Sequence, residues 1–440
     1  MAHALSITDG TTTFSLSTTN CMLVQYTPVE PQGDESTVVE TIEILLTGAT
    51  VAAMRTAMSS LQTLLSAAGH RQKWGIGAVV YLQFQPDGDA SVWRSEVRDA
   101  RLEYSEDTLR AWGQAMLPAS LIVERSAIWE GALTQLPLTN GNGTANTSGL
   151  TIRNHDDSTA GNDNYVEIAA LSVAGSLPSP LMVELTNTTG AAVQYEQILM
   201  ANNAFSDPAN LTHVLQAETV VVSGSGTVQS DAACSNGQYT TFAFTNSSAQ
   251  QYTLSQTLLR DTMGYEFHLI VRFKSINSAA YVRPTILDST GAYTLWVGDE
   301  VELPLISPAL ADLRVIPLPP GGYTTLAAGL RLRLDWRSST TTTVDTDFLA
   351  LFPANTYRCL SVRASCSNNG KIVEDPINKR AWIDNASGEI GAVTPRGLPL
   401  TVWPGVLQRV YFLWYQSSMA ATITQTFTVK LWYRPRRRSF

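Results

Sequence analysis

The sequence has 440 residues, a formal net charge of −9, 44% hydrophobic residues and 15% charged residues. This composition excludes a disordered acidic chain, and the length predicts two to four domains of about 100–200 residues each. No apolar stretch approaches the ~20 residues that span a bilayer, and residues 1–10 lack the features of a signal peptide. We therefore expect no membrane insertion.

The first part of the chain, residues 1–130, predicts strands, one helix, and strands again. Apolar residues at Val51, Met54, Met58, Leu61, Leu65 and Ala68 form one stripe at helical spacing. Thr50 is the expected N-cap, and Gly69 the expected left-handed residue at the helix end. Alternating or β-branched runs predict strands at 22–28, 38–46, 78–85, 91–104 and 117–129. Together these elements predict a β-sandwich or small barrel with one packed helix.

The remaining chain divides by composition. Residues 131–164 are rich in Gly, Asn and Thr and predict a linker or arm. Residues 165–362 show short strands separated by turns, which predicts a jelly-roll sandwich. Residues 363–440 contain two more strand signals, at 400–415 and 422–433, and either complete the jelly roll or form a small extra unit. The strands predicted within 165–362 are 181–186, 193–200, 219–222, 239–244, 265–273, 293–297 and 330–336.

The net charge of the chain and its distribution limit the classes of molecule that the protein can bind. An acidic chain argues against a nucleic-acid-binding groove, which needs a basic face. Residues 1–150 hold 15 acids against 8 Lys plus Arg, and a negative wall suits a passage for DNA because it repels phosphate. The arginine-rich residues at 434–438 leave two alternatives open: a solvated segment, or one that docks on an acidic partner.

Recognisable catalytic motifs are missing from the sequence. It has no phosphate-binding glycine loop, no GxSxG elbow and no HExxH. Cys21, Cys234, Cys359 and Cys366 lack zinc spacing, so buried thiols are expected, with a Cys359–Cys366 bridge as the alternative. We expect no cofactor and no enzyme, although a glycosidase carboxylate pair stays open because its separation is a tertiary property.

Two weaker kinds of site remain as candidates. Asp156, Asp157 and Asp163 offer oxygens for calcium but lack the spacing of a calcium loop, so a hydrogen-bonded linker is the favoured alternative. A carbohydrate site is the second candidate, because sugars stack on aromatic rings and pair with polar groups. Its candidates are His268 and Arg272, on the polar side of an alternating strand, with Tyr293 and Trp296 nearby; the alternative places the two aromatic residues in the core.

Short motifs resemble those of the distal tail and minor tail proteins of long-tailed bacteriophages. They include Ile-Thr-Asp-Gly-Thr at 7–11, the strand-to-helix passage 40–69, and the run 122–131 that ends in Trp-Glu-Gly. Further motifs lie at 136–141, 154–157, 163–166, 318–321, 347–353 and 432–436. The resemblance covers nearly the whole chain, with a larger C-terminal part than in compact members.

The resemblance implies a tail-tube-like domain at 1–130 that assembles into a hexameric ring at the tail tip and continues the DNA channel. It also implies an outward jelly roll similar to galectin-like carbohydrate-binding modules. The implied partners are further copies of the chain, the tail tube, hub and tape measure proteins, DNA in transit, and a host glycan. The implied location is the virion, after assembly in the host cytoplasm. Alternatives are a tube or decoration protein, a cell-surface polysaccharide binder, and a polysaccharide-degrading enzyme.

Overall fold

The computed structural model shows a mainly-β protein that forms two compact units. The N-terminal unit contains Met1–Thr134, Ala174–Ser179 and Arg434–Phe440, and the second unit contains Gln135–Val173 and Pro180–Tyr433. The structure describes residues 4–104, 115–140, 146–157, 159, 161–203, 214–219, 226–244, 250–254, 265–288, 290–318, 330–416 and 420–440. Residues 220–222 of one predicted strand and residues 319–321 of one motif lie outside these ranges. The predicted mainly-β fold class, with a helix packed on the N-terminal sheet, is confirmed.

The N-terminal unit is built on one extended antiparallel sheet. Its strands run in the order β2-β1-β5-β6-β7-β4-β3. Isoleucine, leucine and valine side chains from one side of these strands form its core with the helix. The strands are β1 (Ala4–Thr8), β2 (Thr13–Ser15), β3 (Cys21–Gln25), β4 (Thr37–Thr47), β5 (Tyr81–Gln85), β6 (Trp93–Glu103), β7 (Met116–Ser126) and β8 (Trp129–Glu130).

Helix α1 (Val51–Trp74) covers one face of this sheet. The Thr50 hydroxyl accepts a hydrogen bond from the Ala53 amide at 3.1 Å, so the predicted N-cap is confirmed. The predicted end at Gly69 is wrong: the helix continues, and Gly75, with φ of 69°, is the left-handed residue that ends it. Gly69 is tolerated inside the helix, where a glycine costs only about 1 kcal/mol relative to alanine. Within the described residues, no helix is both long and apolar enough to cross a membrane.

The second unit contains two β-sandwiches, one inserted into the other. Strands β9–β14 and β26–β34 form the split sandwich, and strands β15–β25 form the inserted sandwich. The strands up to β25 are β9 (Thr134–Gln135), β10 (Leu150–Arg153), β11 (Tyr165–Ile168), β12 (Ser179–Pro180), β13 (Met182–Asn187), β14 (Val193–Asn203), β15 (Val214–Gln216), β16 (Thr227–Ser230), β17 (Gln238–Phe244), β18 (Gln250–Leu254), β19 (Glu266–Ile276), β20 (Tyr281–Leu287), β21 (Thr294–Val297), β22 (Val301–Glu302), β23 (Ala309–Pro317), β24 (Arg331–Arg337) and β25 (Thr342–Pro353).

The chain then returns to the split sandwich. The closing strands are β26 (Arg358–Val362), β27 (Ser365–Cys366), β28 (Lys371–Asp375), β29 (Arg380–Asn385), β30 (Gly388–Ile390), β31 (Val393–Gly397), β32 (Thr401–Val402), β33 (Gln408–Gln416), β34 (Thr426–Tyr433) and β35 (Arg436–Arg437). Strand β35 belongs to the N-terminal unit. Short 3-10 helices occupy Ala170–Ser172, Ala217–Thr219, Ser235–Gly237 and Ala354–Thr356.

Each sandwich of the second unit has its own core between two sheets. In the split sandwich these are β10-β34-β13-β28-β29-β30 and β11-β33-β14-β26-β31. In the inserted sandwich they are β16-β17-β25-β19-β23 and β18-β24-β20-β21. A further buried cluster, which includes Leu199, Tyr411, Ile270 and Phe348, joins the two sandwiches. The two sandwiches are therefore packed against each other.

The predicted domain boundaries are corrected by the strand pairing. Strand β33 pairs with β14, and β34 pairs with β13, so the boundary predicted at 362 divides one sandwich, and residues 363–433 complete it. The predicted linker 131–164 also contributes to that sandwich, because Leu136, Leu138 and Ile152 are fully buried in its core. These pairings join residues more than 150 positions apart in the sequence, so local periodicity does not reveal them.

Candidate functional site

The face of the N-terminal sheet that points away from α1 is open to solvent. Ile42, Ile44 and Leu121 point into the core, and the alternate residues of β4, β7 and the second half of β6 point outward. The outward residues include the carboxylates of Glu43, Glu103 and Glu124 and the guanidinium of Arg101, and Glu43 accepts a hydrogen bond from Ser120 at 2.9 Å. The open face is therefore acidic.

The same part of the sheet ends in two open edges. On one side, β3 pairs with β4 and, among the described residues, with no strand beyond it. On the other side, β5 covers only Trp93–Glu96 of β6, so the 98–103 half of β6 pairs with β7 alone in the described chain. The result is a sheet of β6, β7, β4 and β3 whose two outer strands both present unused backbone groups.

The β3 edge is apolar and borders a groove. Met22 is 53% exposed and Val24 67% exposed, although both are hydrophobic. Beside them lies a groove of about 980 Å³, lined by residues 17–19 and 22–26. An exposed apolar edge of this kind is prone to pair with another chain.

A buried ion pair holds the chain that follows β3. The Glu40 carboxylate pairs with the Arg125 guanidinium, and both side chains are almost completely buried. The same carboxylate accepts hydrogen bonds from the Tyr26 hydroxyl at 2.7 Å and from the Val29 amide at 3.0 Å. Tyr26 and Val29 follow β3 closely in the sequence. Their hydrogen bonds to Glu40 therefore fix the position of the open edge.

The candidate sugar-binding residues His268 and Arg272 both lie on β19, and the Arg272 side chain is buried. Arg272 is 2% exposed, pairs with the Asp347 carboxylate, and donates to the Ala421 carbonyl at 3.2 and 3.1 Å. His268 stacks on the Tyr357 ring, with the centroids 3.7 Å apart, and its Nδ1 lies 3.2 Å from Asp312. The polar side of β19 therefore faces the split sandwich, which the alternation of a single strand does not reveal.

The other two sugar candidates, Tyr293 and Trp296, lie in the opposite sheet of the inserted sandwich. Tyr293 is 72% exposed, whereas Trp296 packs against the core. The structure therefore does not bring all four candidates together.

The outer face of this sheet carries a polar network that the sequence analysis missed. The Thr285 hydroxyl donates to Asp335 at 2.9 Å, and Arg333 donates to the same carboxylate at 3.1 Å. Arg283 lies opposite Asp335 on the neighbouring strand, and its side chain is 47% exposed. Only the register of β20 against β24 brings these residues together, so the sequence offers no signal for them.

The metal candidates Asp156, Asp157 and Asp163 lie near the junction of the two sandwiches. Among the described residues, no group of three His, Cys, Asp or Glu side chains is arranged to hold a metal ion. Asp157 instead accepts hydrogen bonds from the Asn236 amide at 3.2 Å and from the Asn162 side chain. Calcium binding by these residues stays a prediction.

Burial shifts the titration of this cluster. Burial and the Asp163 charge raise the pKa of Asp156 to about 7. Burial and the Asp157 charge raise the pKa of Asp163 to about 6. The pKa of His155 falls to about 4, mainly because burial disfavours its charged form. All four cysteines are buried free thiols, as expected from their spacing.

Comparison with protein-family models and with curated proteins gives no match. Among solved structures, the chain is similar to the Dit protein of phage SPP1, at 8% identity and a TM-score of 0.28 over 99% of each chain. It is also similar to a chain of the phage P2 baseplate, at 8% identity and a TM-score of 0.30 over 100% of each. An isomalto-dextranase of Arthrobacter globiformis T6 matches at 11% identity and a TM-score of 0.26, over 46% of this chain and 39% of that one. TM-scores this low do not establish a common fold.

Proposed function

We propose that the protein is a structural component of a bacteriophage tail whose N-terminal unit closes into a ring with identical copies. The ring continues the DNA channel at the tail tip or baseplate of the virion, between the tube and the hub, and the protein has no catalytic role. The observation that carries the proposal is the sheet of β6, β7, β4 and β3, which has two open edges and an acidic open face. The resemblance of the sequence motifs to distal tail proteins supports the same function.

Ring closure would pair the free backbone groups of both open edges at once. Strand β3 of one copy pairs with the 98–103 half of β6 of the next, so that no edge remains exposed. Six copies contribute 24 strands, and at about 4.8 Å per strand the resulting barrel is at least roughly 35 Å across. The hole then has room for double-stranded DNA, and the carboxylates on the open face repel its phosphates.

Charging the β3 edge tests the ring. The double substitution Met22→Lys and Val24→Lys places two ammonium groups on an edge that must pair with another chain. We expect light scattering to give the mass of a ring for the unmodified protein and the mass of a monomer for this variant. The variant should still unfold cooperatively on heating, which shows that the monomer is folded. Val92→Lys is the matched control, because Val92 is also an exposed valine, 45% accessible, but lies outside both edges. A variant that assembles like the unmodified protein would rule out β3 as the ring contact.

A second candidate function, contact with a host glycan, is favoured by the outer face of the β18-β24-β20-β21 sheet. Tyr293, just before β21, offers an exposed ring for stacking, and the Arg283 guanidinium on the outer face, 47% exposed, offers donors for hydroxyl groups. A single weak site near ~1 mM contributes only about −4 kcal/mol, but an array of copies adds avidity. The ring would therefore make weak sugar contacts useful.

Glycan-array binding by the assembled protein tests this second function. We expect Tyr293→Ala and Arg283→Ala each to reduce glycan binding without changing the assembly. Arg380 is an exposed arginine of the split sandwich, so Arg380→Ala serves as the control and should leave glycan binding unchanged. Release of reducing sugar that one Asp or Glu substitution abolishes would instead favour a polysaccharide-degrading enzyme.

A further inference from the structure

Arginines are concentrated on the outer face of the β18-β24-β20-β21 sheet, although the surrounding sandwich is acidic. Residues 204–353, which contain the inserted sandwich, hold 13 Asp plus Glu against 8 Lys plus Arg. Strands β20 and β24 nevertheless carry four of those basic residues, all arginines, and a single carboxylate, that of Asp335. Because Val282, Leu332 and Leu334 are buried in the core, the alternate positions of both strands point outward. The arginines at these outward positions, which form the basic face, are Arg283, Arg331, Arg333 and Arg337.

At one end of the basic face, carboxylates neutralise the positive charge. The Arg337 guanidinium donates to the Glu300 carboxylate at 3.0 Å and also lies over the Tyr281 ring, 4.6 Å from its centroid. Glu302 is close as well, because Tyr281 pairs with Arg337 on one side and with Glu302 on the other. Among the described residues, this end therefore carries at least as many carboxylates as guanidinium groups.

At the other end, three guanidinium groups share one carboxylate. Arg333 donates to Asp335 at 3.1 Å, and the Arg283 guanidinium lies 3.9 Å from the same carboxylate. In the described part of the chain, Arg331 has no carboxylate within ion-pair distance. It lies over the turn at 288–293, since a Cβ at position 291 would be 3.0 Å from its Nη1. The guanidinium groups therefore outnumber the carboxylates at this end, even when Asp288 of that turn is counted.

The spacing of these groups places them within reach of one ligand. Arg331 and Arg333 stand two positions apart on β24, about 7 Å along the strand, and Arg283 lies on the neighbouring β20. Tyr293 closes the turn that Arg331 covers, and its side chain is 72% exposed. Three cationic groups and one exposed aromatic ring therefore border the same surface.

We infer that the basic face binds an acidic polysaccharide, one whose repeating unit carries a carboxylate or a phosphate group. This inference rests on the glycan contact proposed above and adds the charge of the glycan. A guanidinium group matches either anion, because its parallel N–H groups donate to two of the anion's oxygens at once. The exposed Tyr293 ring offers a surface on which a sugar ring of the same polymer stacks.

The charge of the rest of the sandwich favours a polysaccharide over other polyanions. Double-stranded DNA carries one negative charge per about 1.7 Å of its axis, so a bound duplex would also meet Glu300, Glu302 and the other acidic residues of the sandwich. A polysaccharide with one anionic group per repeat spaces its charges more widely. Its anions can therefore meet Arg283, Arg331 and Arg333 and leave the acidic end free.

Binding of defined polymers by the full-length assembled protein tests the inference. The probes are polygalacturonate, which carries a carboxylate on each sugar, a glucosylated poly(glycerol phosphate), and dextran as the neutral reference. We expect at least one acidic probe to bind about tenfold more tightly than dextran, and this preference to shrink as the salt concentration rises from about 0.05 to about 0.5 M. The two acidic probes distinguish a carboxylate ligand from a phosphate ligand.

Neutral variants of the basic face locate the binding. Arg283→Gln and Arg331→Gln each remove one positive charge and keep most of the length of the side chain. We expect each variant to weaken binding of the acidic probe by about tenfold. Arg380→Gln is the matched control, because Arg380 is also an exposed arginine but lies in the split sandwich. All three variants should assemble and melt like the unmodified protein.

The other outcomes overturn the inference in distinguishable ways. Dextran that binds as tightly as the acidic probes, with binding lost in Tyr293→Ala, overturns the charge class and leaves the glycan contact standing. Acidic-probe binding that both glutamine variants retain places the anion elsewhere on the protein. Polyglutamate or double-stranded DNA that binds as tightly as the acidic polysaccharides shows a general attraction for polyanions. If no probe binds, the glycan contact fails together with the inference, while light scattering still reports separately on the ring.

Discussion

The Arg272 guanidinium and the Asp347 carboxylate form an ion pair in the second unit where neither side chain reaches water. Asp347 also accepts a hydrogen bond from the Ser235 amide at 2.9 Å, and Arg272 donates to the Ala421 carbonyl of the split sandwich. The pair therefore links β19 and β25 of the inserted sandwich to the split sandwich. Arg272 stabilises the junction between the sandwiches and is not available to a sugar.

Replacing Arg272 alone should be costly. Arg272→Met leaves the Asp347 charge buried without a partner, and we expect a loss of about 3–5 kcal/mol in the free energy of unfolding of the second unit. Arg272→Met with Asp347→Leu should recover most of that loss, because no buried charge remains. Denaturant unfolding measures both, with Lys274→Ala as the control, since the Lys274–Asp231 pair is partly exposed and should contribute less than about 1 kcal/mol. Equal losses in the single and double variants would argue against the ion pair as the cause.

The helix stripe gives a prediction for the N-terminal unit. Leu61 is completely buried against the sheet, so Leu61→Asp places a charge in the core and should prevent the N-terminal unit from folding. Gln62→Asp, on the exposed side of the same helix turn, should unfold like the unmodified protein. A soluble Leu61→Asp variant that melts cooperatively would contradict the packing of α1.

The acidic cluster at 156–163 predicts a dependence of stability on pH. The pKa values of Asp156 and Asp163 are raised, to about 7 and about 6, so the folded protein binds their protons more tightly than the unfolded chain does. The contribution of these two carboxyl groups to stability should therefore increase as the pH falls from 8 to about 4, where the unfolded chain also takes up the protons. The lowered pKa of His155 acts in the opposite sense, because it costs stability as the pH falls from about 6.5 to about 4.

Asp156→Asn tests this dependence directly. We expect the substitution to raise the melting temperature at both pH values and by more at pH 8, with a difference equivalent to about 1–3 kcal/mol, because at pH 5 the folded protein already holds the Asp156 proton and only the unfolded chain ionises. Asp34→Asn, at an exposed aspartate, is the control. If Asp156→Asn leaves the melting temperature unchanged at both pH values, the ionised Asp156 carboxylate does not destabilise the folded protein.

The open face of the N-terminal sheet predicts how the channel treats DNA. Glu43→Lys with Glu124→Lys reverses two outward charges without touching either edge, so the ring should still form. We expect this variant to retain double-stranded DNA in a gel-shift assay at low salt and to release it as the salt concentration rises, whereas the unmodified ring retains none. Equal DNA binding by the two proteins would place the acidic face away from the channel.

The local structure of the chain was largely predictable from its sequence. The stripe from Val51 to Ala68 predicts α1 because its positions repeat at helical spacing, and the alternation at 265–273 predicts a strand whose core residues include Phe267 and Leu269. The Gly69 end was wrong because a glycine inside a helix costs only about 1 kcal/mol, so a single glycine does not fix where a helix ends. Sequence periodicity therefore identified elements better than their ends.

What was not predictable depends on contacts between distant residues. The insertion of one sandwich into the other is set by pairs such as Leu199 and Cys359, and the outer-face network by Arg283 opposite Asp335. Arg272 lies on the polar side of an alternating strand, yet that side packs against the split sandwich. No property of a single strand encodes what covers its second face.

The mass of the unmodified particle in solution tests the proposed ring most directly. Light scattering across a range of salt and protein concentrations should show a closed cyclic species of about 250–300 kDa, and electron microscopy should show a central hole. A strict monomer under all these conditions, or a particle with no opening, would contradict the ring whatever the sandwiches bind.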